Sequence, residues 1–153
     1  MVKTKNRIWI CSLLLTLNIA FIWGNSLLPG EISGAISNGL KSILESLVGV
    51  QEGGSGGGGL LRKLAHFTEF ACLGMLLRWL FGMLLQKKWQ YYTWPAIGGV
   101  AVASLDETIQ MFIPGRGPHI KDVGIDTLGL ALGIFIISLI THIKKNQLKE
   151  NEL

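Results

Sequence analysis

Four long apolar segments constrain this chain more than any other feature of its sequence. They occupy residues 8–28, 61–85, 94–113 and 123–143. A helix that crosses about 30 Å of hydrocarbon needs about 20 apolar residues, because each residue advances it by roughly 1.5 Å. Of the 153 residues, 49% are hydrophobic and only 16% are charged. The sequence therefore predicts an all-α, polytopic membrane protein, a single domain with four transmembrane helices.

The placement of the basic residues and the cysteines excludes several classes of protein. Lys and Arg number 14 against 10 Asp and Glu, but they flank apolar segments and form no stripe with exposed aromatic residues, so no nucleic acid is expected as a partner. Cys11 and Cys72 lie in apolar runs without further ligands at metal-binding spacing, so these cysteines indicate neither a disulfide framework nor a zinc site. The first segment is longer than a signal-peptide core and lacks a cleavage pattern, which predicts a retained anchor.

The distribution of Lys and Arg also predicts the orientation of the helices, because short basic loops stay on the cytoplasmic side of a membrane. Basic residues precede the first segment and follow the second and fourth: Lys3, Lys5, Arg7, Lys87, Lys88, Lys144, Lys145 and Lys149. Both termini are therefore expected in the cytoplasm. The opposite orientation would place fewer basic residues inside and would mix them with acidic ones.

The stretch between the first two predicted spans combines an amphipathic segment with a glycine-rich run. From Glu31 to Val50, apolar residues recur near helical spacing with polar residues between them, which predicts an interfacial helix on the outer leaflet. Residues 53–59 read GGSGGGG, a flexible linker by composition. A run of this regularity is also typical of an engineered linker, and both origins stay open. We assign it no function.

Ionisable residues inside the predicted spans are the strongest indication of function. Burying such a group in a membrane costs several kcal/mol unless it is paired or solvated, so it usually faces a partner or a cavity. In the second span, Arg62, His66 and Glu69 stand at i, i+4 and i+7 and share one helix face, with Lys63 adjacent. These groups lie within about two and a half turns of the outer end of that span.

The third and fourth spans carry further polar residues at a matching depth. Counted from Trp94, Asp106 lies roughly 18 Å along the third span, past the midplane toward the outside and at the depth of Glu69. The same end carries polar residues of both spans and of the turn between them: Asp106, Glu107, Gln110, Arg116, Lys121, Asp122 and Asp126. The simplest geometry that satisfies these side chains is a shared polar pocket that opens outward.

Four short sequence blocks carry a family resemblance. They read NSLLPG from Asn25, RKLAHFTEFACLG from Arg62, SLDETIQMFIPGR from Ser104 and KDVGIDTLG from Lys121. These blocks resemble the motifs of the VanZ-like family of small bacterial membrane proteins, and the similarity covers most of the chain. The resemblance implies a bacterial cell membrane location and, for the founding members, a part in resistance to teicoplanin-type lipoglycopeptides. Many relatives carry Asn where this chain has Asp126.

The predicted pocket is compatible with two functions. In the first, it binds an amphiphilic envelope ligand, such as a lipid-linked cell-wall intermediate or a lipoglycopeptide, through Arg62, Lys63, Gln110, Arg116, Asp122 and Asp126. In the second, the protein is a hydrolase or transferase that acts on a lipid-linked or phosphate-bearing envelope substrate. His66 would then be a general base oriented by Glu69, and the full set of candidate catalytic residues is His66, Glu69, Asp106 and Glu107.

Structural roles for the same residues stay open as alternatives. His66 and Glu69 would then fix helix packing through hydrogen bonds, the acids of the third span would pair with basic residues, and the basic residues would meet lipid phosphates. A divalent metal on His66, Glu69, Asp106 and Asp122 is compatible with their chemistry, but no motif with two histidines supports it. We therefore expect no cofactor.

The expected partners are membrane lipids and the amphiphilic ligand. Gly129 and Gly133 form a GxxxG pattern, which permits either a homo-oligomer or close helix packing within one chain. Transport is disfavoured, because four helices without an internal repeat leave little room for alternating access.

Overall fold

The computed structural model describes residues 2–48, 57–117 and 120–151, which form five α-helices and no strand. The helices are α1 (Val2–Ser26), α2 (Gly30–Val48), α3 (Gly57–Leu84), α4 (Gln90–Gln110) and α5 (Ile120–Glu150). Within the described ranges, three helical segments are long and apolar enough to cross a membrane: Thr4–Ser26, Gly59–Leu84 and Lys121–Leu148. The all-α prediction is confirmed for these residues, and three of the four predicted spans correspond to these segments.

Helix α4, which covers most of the remaining predicted span, is not among these three segments. It has 21 residues, but it does not reach the apolar character of the three segments above. Its buried positions include Asp106, Glu107 and Gln110, which account for the difference. The predicted span 94–113 also extends too far, since α4 ends at Gln110. Pro114 disfavours a helical conformation in the residue before it, and a turn follows.

Helices α1 and α4 run in one direction, whereas α3 and α5 run in the other. The Cys11 thiol, early in α1, donates a hydrogen bond to the carbonyl oxygen of Leu76, late in α3. Asn25, near the end of α1, instead contacts Glu69 in the first half of α3. The C-terminal ends of α1 and α4 therefore meet the N-terminal halves of α3 and α5. We call this end of the bundle, which contains Ser26, Arg62, Gln110 and Asp122, the polar end.

The most extensive interface in the described chain joins α3 and α5, and glycines make it possible. A β-carbon at Gly129 would overlap the carbonyl oxygen of Phe67, and one at Gly133 would overlap that of Ala71. On the other helix, a β-carbon at Gly74 would overlap the carbonyl oxygen of Leu130. The GxxxG pattern therefore packs two helices of the same chain against each other, which is one of the two roles that the sequence left open.

Many apolar side chains of the bundle face outward, whereas several charged ones face inward. On α1, Trp9 is 70% exposed and Leu13 is 60% exposed, while Asp106 and Asp126 in the interior are 0% and 1% exposed. The buried apolar core is small and consists of Ile22, Phe70, Leu73, Leu77, Ala103, Leu130 and Ile134. This distribution is the reverse of that in a water-soluble domain and is typical of helices that face lipid.

Helix α2 is attached to the rest of the chain at its N-terminal end. The backbone N–H of Gly30 donates to the carbonyl oxygen of Pro114 at 3.0 Å. Gly115 has a φ of 75°, a conformation that favours glycine. The apolar face of α2 is exposed along its length through Ile32, Ile36, Leu40, Ile43 and Leu47. The helix predicted for this stretch is present, and its position on the outer leaflet stays a prediction.

The glycine-rich run is only partly within the described residues. Residues 53–56 lie outside them, as do residues 49 and 50 at the end of the predicted interfacial helix. Gly57 and Gly59 belong to the first turn of α3, so this part of the predicted flexible linker is helical. The α-helical hydrogen bonds of the apolar segment that follows extend back into these glycines.

Candidate functional site

The centre of the polar end contains one histidine and two aspartates from three different helices. Nδ1 of His66 lies 3.9 Å from Oδ2 of Asp106 and 4.0 Å from Oδ1 of Asp126. One potential ligand atom from each residue lies within 4.8 Å of the other two. Both aspartates are buried, and the His66 side chain is 15% exposed. We call these three residues the His–Asp–Asp cluster.

The helical periodicity of the sequence places these side chains in the interior. Asp126 precedes Gly129 and Leu130 by three and four positions, so it shares the face of α5 that packs against α3. Asp106 likewise follows Ala103, a member of the apolar core, on the buried face of α4. The packing that buries the apolar residues therefore also carries the two carboxyl groups into the bundle.

Amide side chains hold two of the carboxyl groups of the polar end. Gln110 donates from Nε2 to Oδ2 of Asp106 at 2.8 Å and to Oγ of Ser26 at 3.1 Å. Asn25 donates from Nδ2 to Oε1 of Glu69 at 2.8 Å. Neither Asn25 nor Ser26 was predicted as a site residue, although both belong to the NSLLPG block. The end of α1 thus contributes directly to the site.

Arg116 approaches the site from the turn between α4 and α5. Its Nη2 donates to the carbonyl oxygen of Asn25 at 2.8 Å. Burial, and secondly the positive charge of Arg62, lower the pKa of the Arg116 guanidinium. Its Nε and Nη1 are buried and have no hydrogen-bond partner in the described part of the chain. A guanidinium with two unused donors is suited to bind an anion.

Other buried polar atoms of the polar end also lack hydrogen-bond partners among the residues that the structure describes. They are Nδ1 of His66, Oε2 of Glu69, and one carboxylate oxygen each of Asp106, Asp122 and Asp126. Folded proteins satisfy nearly all buried polar atoms through protein groups, water or ions. These atoms therefore indicate a place for water, a cation or a polar group of a ligand.

The His–Asp–Asp cluster has the chemistry of a divalent metal site. Two carboxylates and one imidazole suit Mn²⁺ or Zn²⁺. The metal ligands considered from the sequence were His66, Glu69, Asp106 and Asp122. In the structure, the ligand atoms that lie close together belong instead to His66, Asp106 and Asp126. Glu69 is instead engaged by Asn25.

A narrow opening connects the cluster with the surface. Its lining consists of Arg62, Lys63, His66, Asp122, Ile125 and Asp126. Lys63 is exposed at its rim, and Arg62 is half-buried. The opening is narrow because the glycine contacts bring α3 and α5 together immediately below it. The basic residues at the rim would attract an anionic group.

All of the predicted site residues lie at the polar end, in different environments. The buried ones are Asp106, Glu107, Gln110 and Asp126; those half-buried are Arg62, His66, Glu69, Arg116 and Asp122; Lys63 is exposed. The prediction that separate helices bring these residues to one end of the bundle therefore agrees with the structure. What each residue does there stays a prediction.

The comparison with known proteins agrees with the resemblance of the sequence blocks. The sequence model of the VanZ/LLP1 family matches residues 6–141. The matched range contains every residue of the polar end named above. No curated protein and no solved structure matches the chain.

Proposed function

Because the chain belongs to the VanZ/LLP1 family and is a VanZ-like envelope protein with helices long and apolar enough to span a membrane, we propose that its polar end binds the anionic headgroup of an amphiphilic envelope ligand. The observation that carries this proposal is the basic rim, Arg62 and Lys63, above buried polar atoms without partners. Ile125 lines the opening, and Leu128 one turn further along α5 is 65% exposed. An acyl or prenyl chain would follow this apolar surface into the bilayer while the headgroup stays at the opening.

The proposal includes a topology in which all four long helices cross the membrane of a bacterial cell. Helix α4 packs against α1, α3 and α5, and its buried acids and amide face these neighbours rather than lipid, which makes a polar helix tolerable in a bilayer. The lysines near the ends of α3 and α5 lie opposite the polar end, so the positive-inside rule places that end outside and both termini in the cytoplasm. The exposed apolar face of α2 would then rest on the outer leaflet.

Cysteine labelling in intact cells tests this topology. A membrane-impermeant maleimide should label Ser37→Cys on α2 but leave Lys88→Cys, between α3 and α4, unlabelled until the cells are lysed. The unmodified chain measures background, because Cys11 is buried in the bundle and Cys72 lies within α3. Labelling of Lys88→Cys in intact cells, or protection of Ser37→Cys, would contradict the proposed orientation.

Ligand binding is tested with the purified protein in phosphatidylcholine nanodiscs, with undecaprenyl phosphate and teicoplanin as probes. The double variant Arg62→Gln/Lys63→Gln should bind the phosphate lipid about tenfold more weakly, equivalent to about 1.4 kcal/mol, because it lacks the two cations of the rim. The matched control is Lys5→Gln/Arg7→Gln. It removes the same charge near the N-terminus of α1, at the end of the bundle opposite the polar end. Equal affinity of the two double variants would refute the role of the rim.

We also propose a part in teicoplanin resistance, which the family resemblance implies, and this part has a separate readout in cells. Deletion and overexpression of the protein should shift teicoplanin susceptibility in opposite directions, because a ligand held at the polar end changes what the antibiotic can reach. Overexpressed Arg62→Gln/Lys63→Gln should not reproduce the shift. Unchanged susceptibility together with unchanged levels of lipid-linked intermediates would exclude this part of the proposal.

A second candidate function is a hydrolase or transferase for a lipid-linked or phosphate-bearing substrate, and the His–Asp–Asp cluster favours it. His66 would act as the general base. Its imidazole would be oriented by Asp106 and Asp126, which lie within 4.0 Å, rather than by Glu69 as the sequence suggested. Arg62, Lys63 and Arg116 would neutralise negative charge that develops on the substrate.

A further inference from the structure

A larger cavity lies at the end of the bundle opposite the polar end. Its volume is about 660 Å³, and it is bounded by the second half of α3, the start of α4 and the second half of α5. Its lining includes Arg78, Lys88, Tyr91, Tyr92, Ser138 and Lys145. None of these residues belongs to the candidate site described above, so this cavity is independent of the proposed function.

Arg78 contributes a buried guanidinium in a fixed position to this cavity. The residue is 7% exposed, and its Nε donates to Oγ of Ser138 at 3.0 Å. Its guanidinium carbon lies 5.0 Å from the ring centre of Tyr91 and 5.1 Å from that of Tyr92, distances typical of cation–π contacts. Ser138 is itself held by a hydrogen bond to the carbonyl oxygen of Ile134. The guanidinium is therefore held in place by two helices besides its own.

The charge of the cavity is unbalanced. Arg78, Lys88 and Lys145 line it, and no acidic residue does among those that the structure describes. Within the described ranges, the Arg78 side chain makes one hydrogen bond, the one to Ser138. A buried cation normally requires a counter-charge, and burial without one is strongly unfavourable. An anion in the cavity would supply this counter-charge.

From this geometry we propose that the cavity binds a phosphate group. A fixed guanidinium with free donors and flanking lysines is the arrangement that recognises phosphate oxygens, and the volume is within the range of small-molecule sites. The phosphate is carried either by the headgroup of an anionic phospholipid or by a soluble phosphate ester. In the proposed topology this cavity faces the cytoplasm, and basic pockets between membrane helices on that side are suited to the former.

Two pairs of adjacent lysines provide a matched experiment. Lys88 and Lys145 line the cavity, whereas their neighbours Lys87 and Lys144 do not. The double variants Lys88→Gln/Lys145→Gln and Lys87→Gln/Lys144→Gln therefore lose the same net charge at the same end of the protein. The full-length proteins in phosphatidylcholine nanodiscs are compared by thermal unfolding, with phosphatidylglycerol added to the disc in one arm and glycerol 3-phosphate added to the solution in the other.

We expect the wild-type Tm to rise in at least one arm. A rise with phosphatidylglycerol alone assigns the site to a lipid headgroup, and a rise with glycerol 3-phosphate assigns it to a soluble ester. Lys88→Gln/Lys145→Gln should bind about tenfold more weakly, and Lys87→Gln/Lys144→Gln should match the wild type. Arg78→Gln should lose the ligand-dependent rise in Tm. If that variant does not fold, the comparison of the two lysine double variants still tests the proposal. No rise in either arm, or equal losses from both lysine pairs, would overturn the proposal.

Discussion

Replacing Gly133 with leucine is expected to separate α3 from α5 and to lower the stability of the protein by about 3 kcal/mol, the upper part of the usual range for overpacked sites. Even the first carbon of the new side chain would overlap the carbonyl oxygen of Ala71. A backbone carbonyl cannot rotate away as a side chain does, so the helices themselves must move. The measurement is the thermal unfolding midpoint of the detergent-solubilised protein, followed by size-exclusion chromatography.

The control is another glycine of the same helix. A β-carbon at Gly124 would meet nothing within 4 Å, so Gly124→Leu should change the stability by less than about 1 kcal/mol, and a gain is consistent with the higher helix propensity of leucine. Comparable losses from both variants would show that membrane insertion or general helix properties, rather than the contact with α3, determine the result.

Addition of Mn²⁺ or Zn²⁺ is expected to stabilise the wild-type protein through the His–Asp–Asp cluster. At a metal concentration one hundred times the Kd, the expected gain in the free energy of unfolding is about 2.7 kcal/mol. Asp126→Asn and His66→Ala should each lose most of this gain, because each removes one of three ligands. The measurement is again thermal unfolding, with and without a chelator.

The nearby Asp122 supplies the matched control, because it lines the same opening but is outside the His–Asp–Asp cluster. Asp122→Asn should retain the metal-dependent stabilisation. If Asp122→Asn loses it and Asp126→Asn retains it, the metal set considered from the sequence is correct instead.

For the enzyme candidate, phosphate release from undecaprenyl pyrophosphate is measured with the same proteins. Turnover that is unaffected by His66→Ala and by Asp106→Asn would remove both residues from the mechanism.

The depth and helix face of the polar residues could be predicted from the sequence because helical geometry is regular. The spacing of Arg62, His66 and Glu69 defines one face of α3 without any knowledge of its neighbours. The rise per residue likewise places Asp106 near the level of Glu69. An alternating path of helices then brings these residues to the same end of the bundle.

The pairing of these side chains could not be predicted, because it depends on the rotation and separation of packed helices. Glu69 and His66 are neighbours on one helix, yet Glu69 bonds to Asn25, while the imidazole Nδ1 lies within 4.0 Å of carboxylate oxygens of Asp106 and Asp126. These side-chain partners follow from the close contact of α3 and α5. A GxxxG pattern in the sequence does not indicate which helix it will meet, or whether that helix belongs to the same chain.

Two connections that are distant in sequence are tied together at the polar end. The backbone of Gly30, where α2 begins, bonds to Pro114, and Arg116 two residues later bonds to the backbone of Asn25, where α1 ends. If α2 rests on the outer leaflet as proposed, a tilt of this helix under lateral pressure would pull on the segment that carries the Arg116 guanidinium. In that topology, the state of the surrounding bilayer and the position of the guanidinium would be mechanically linked.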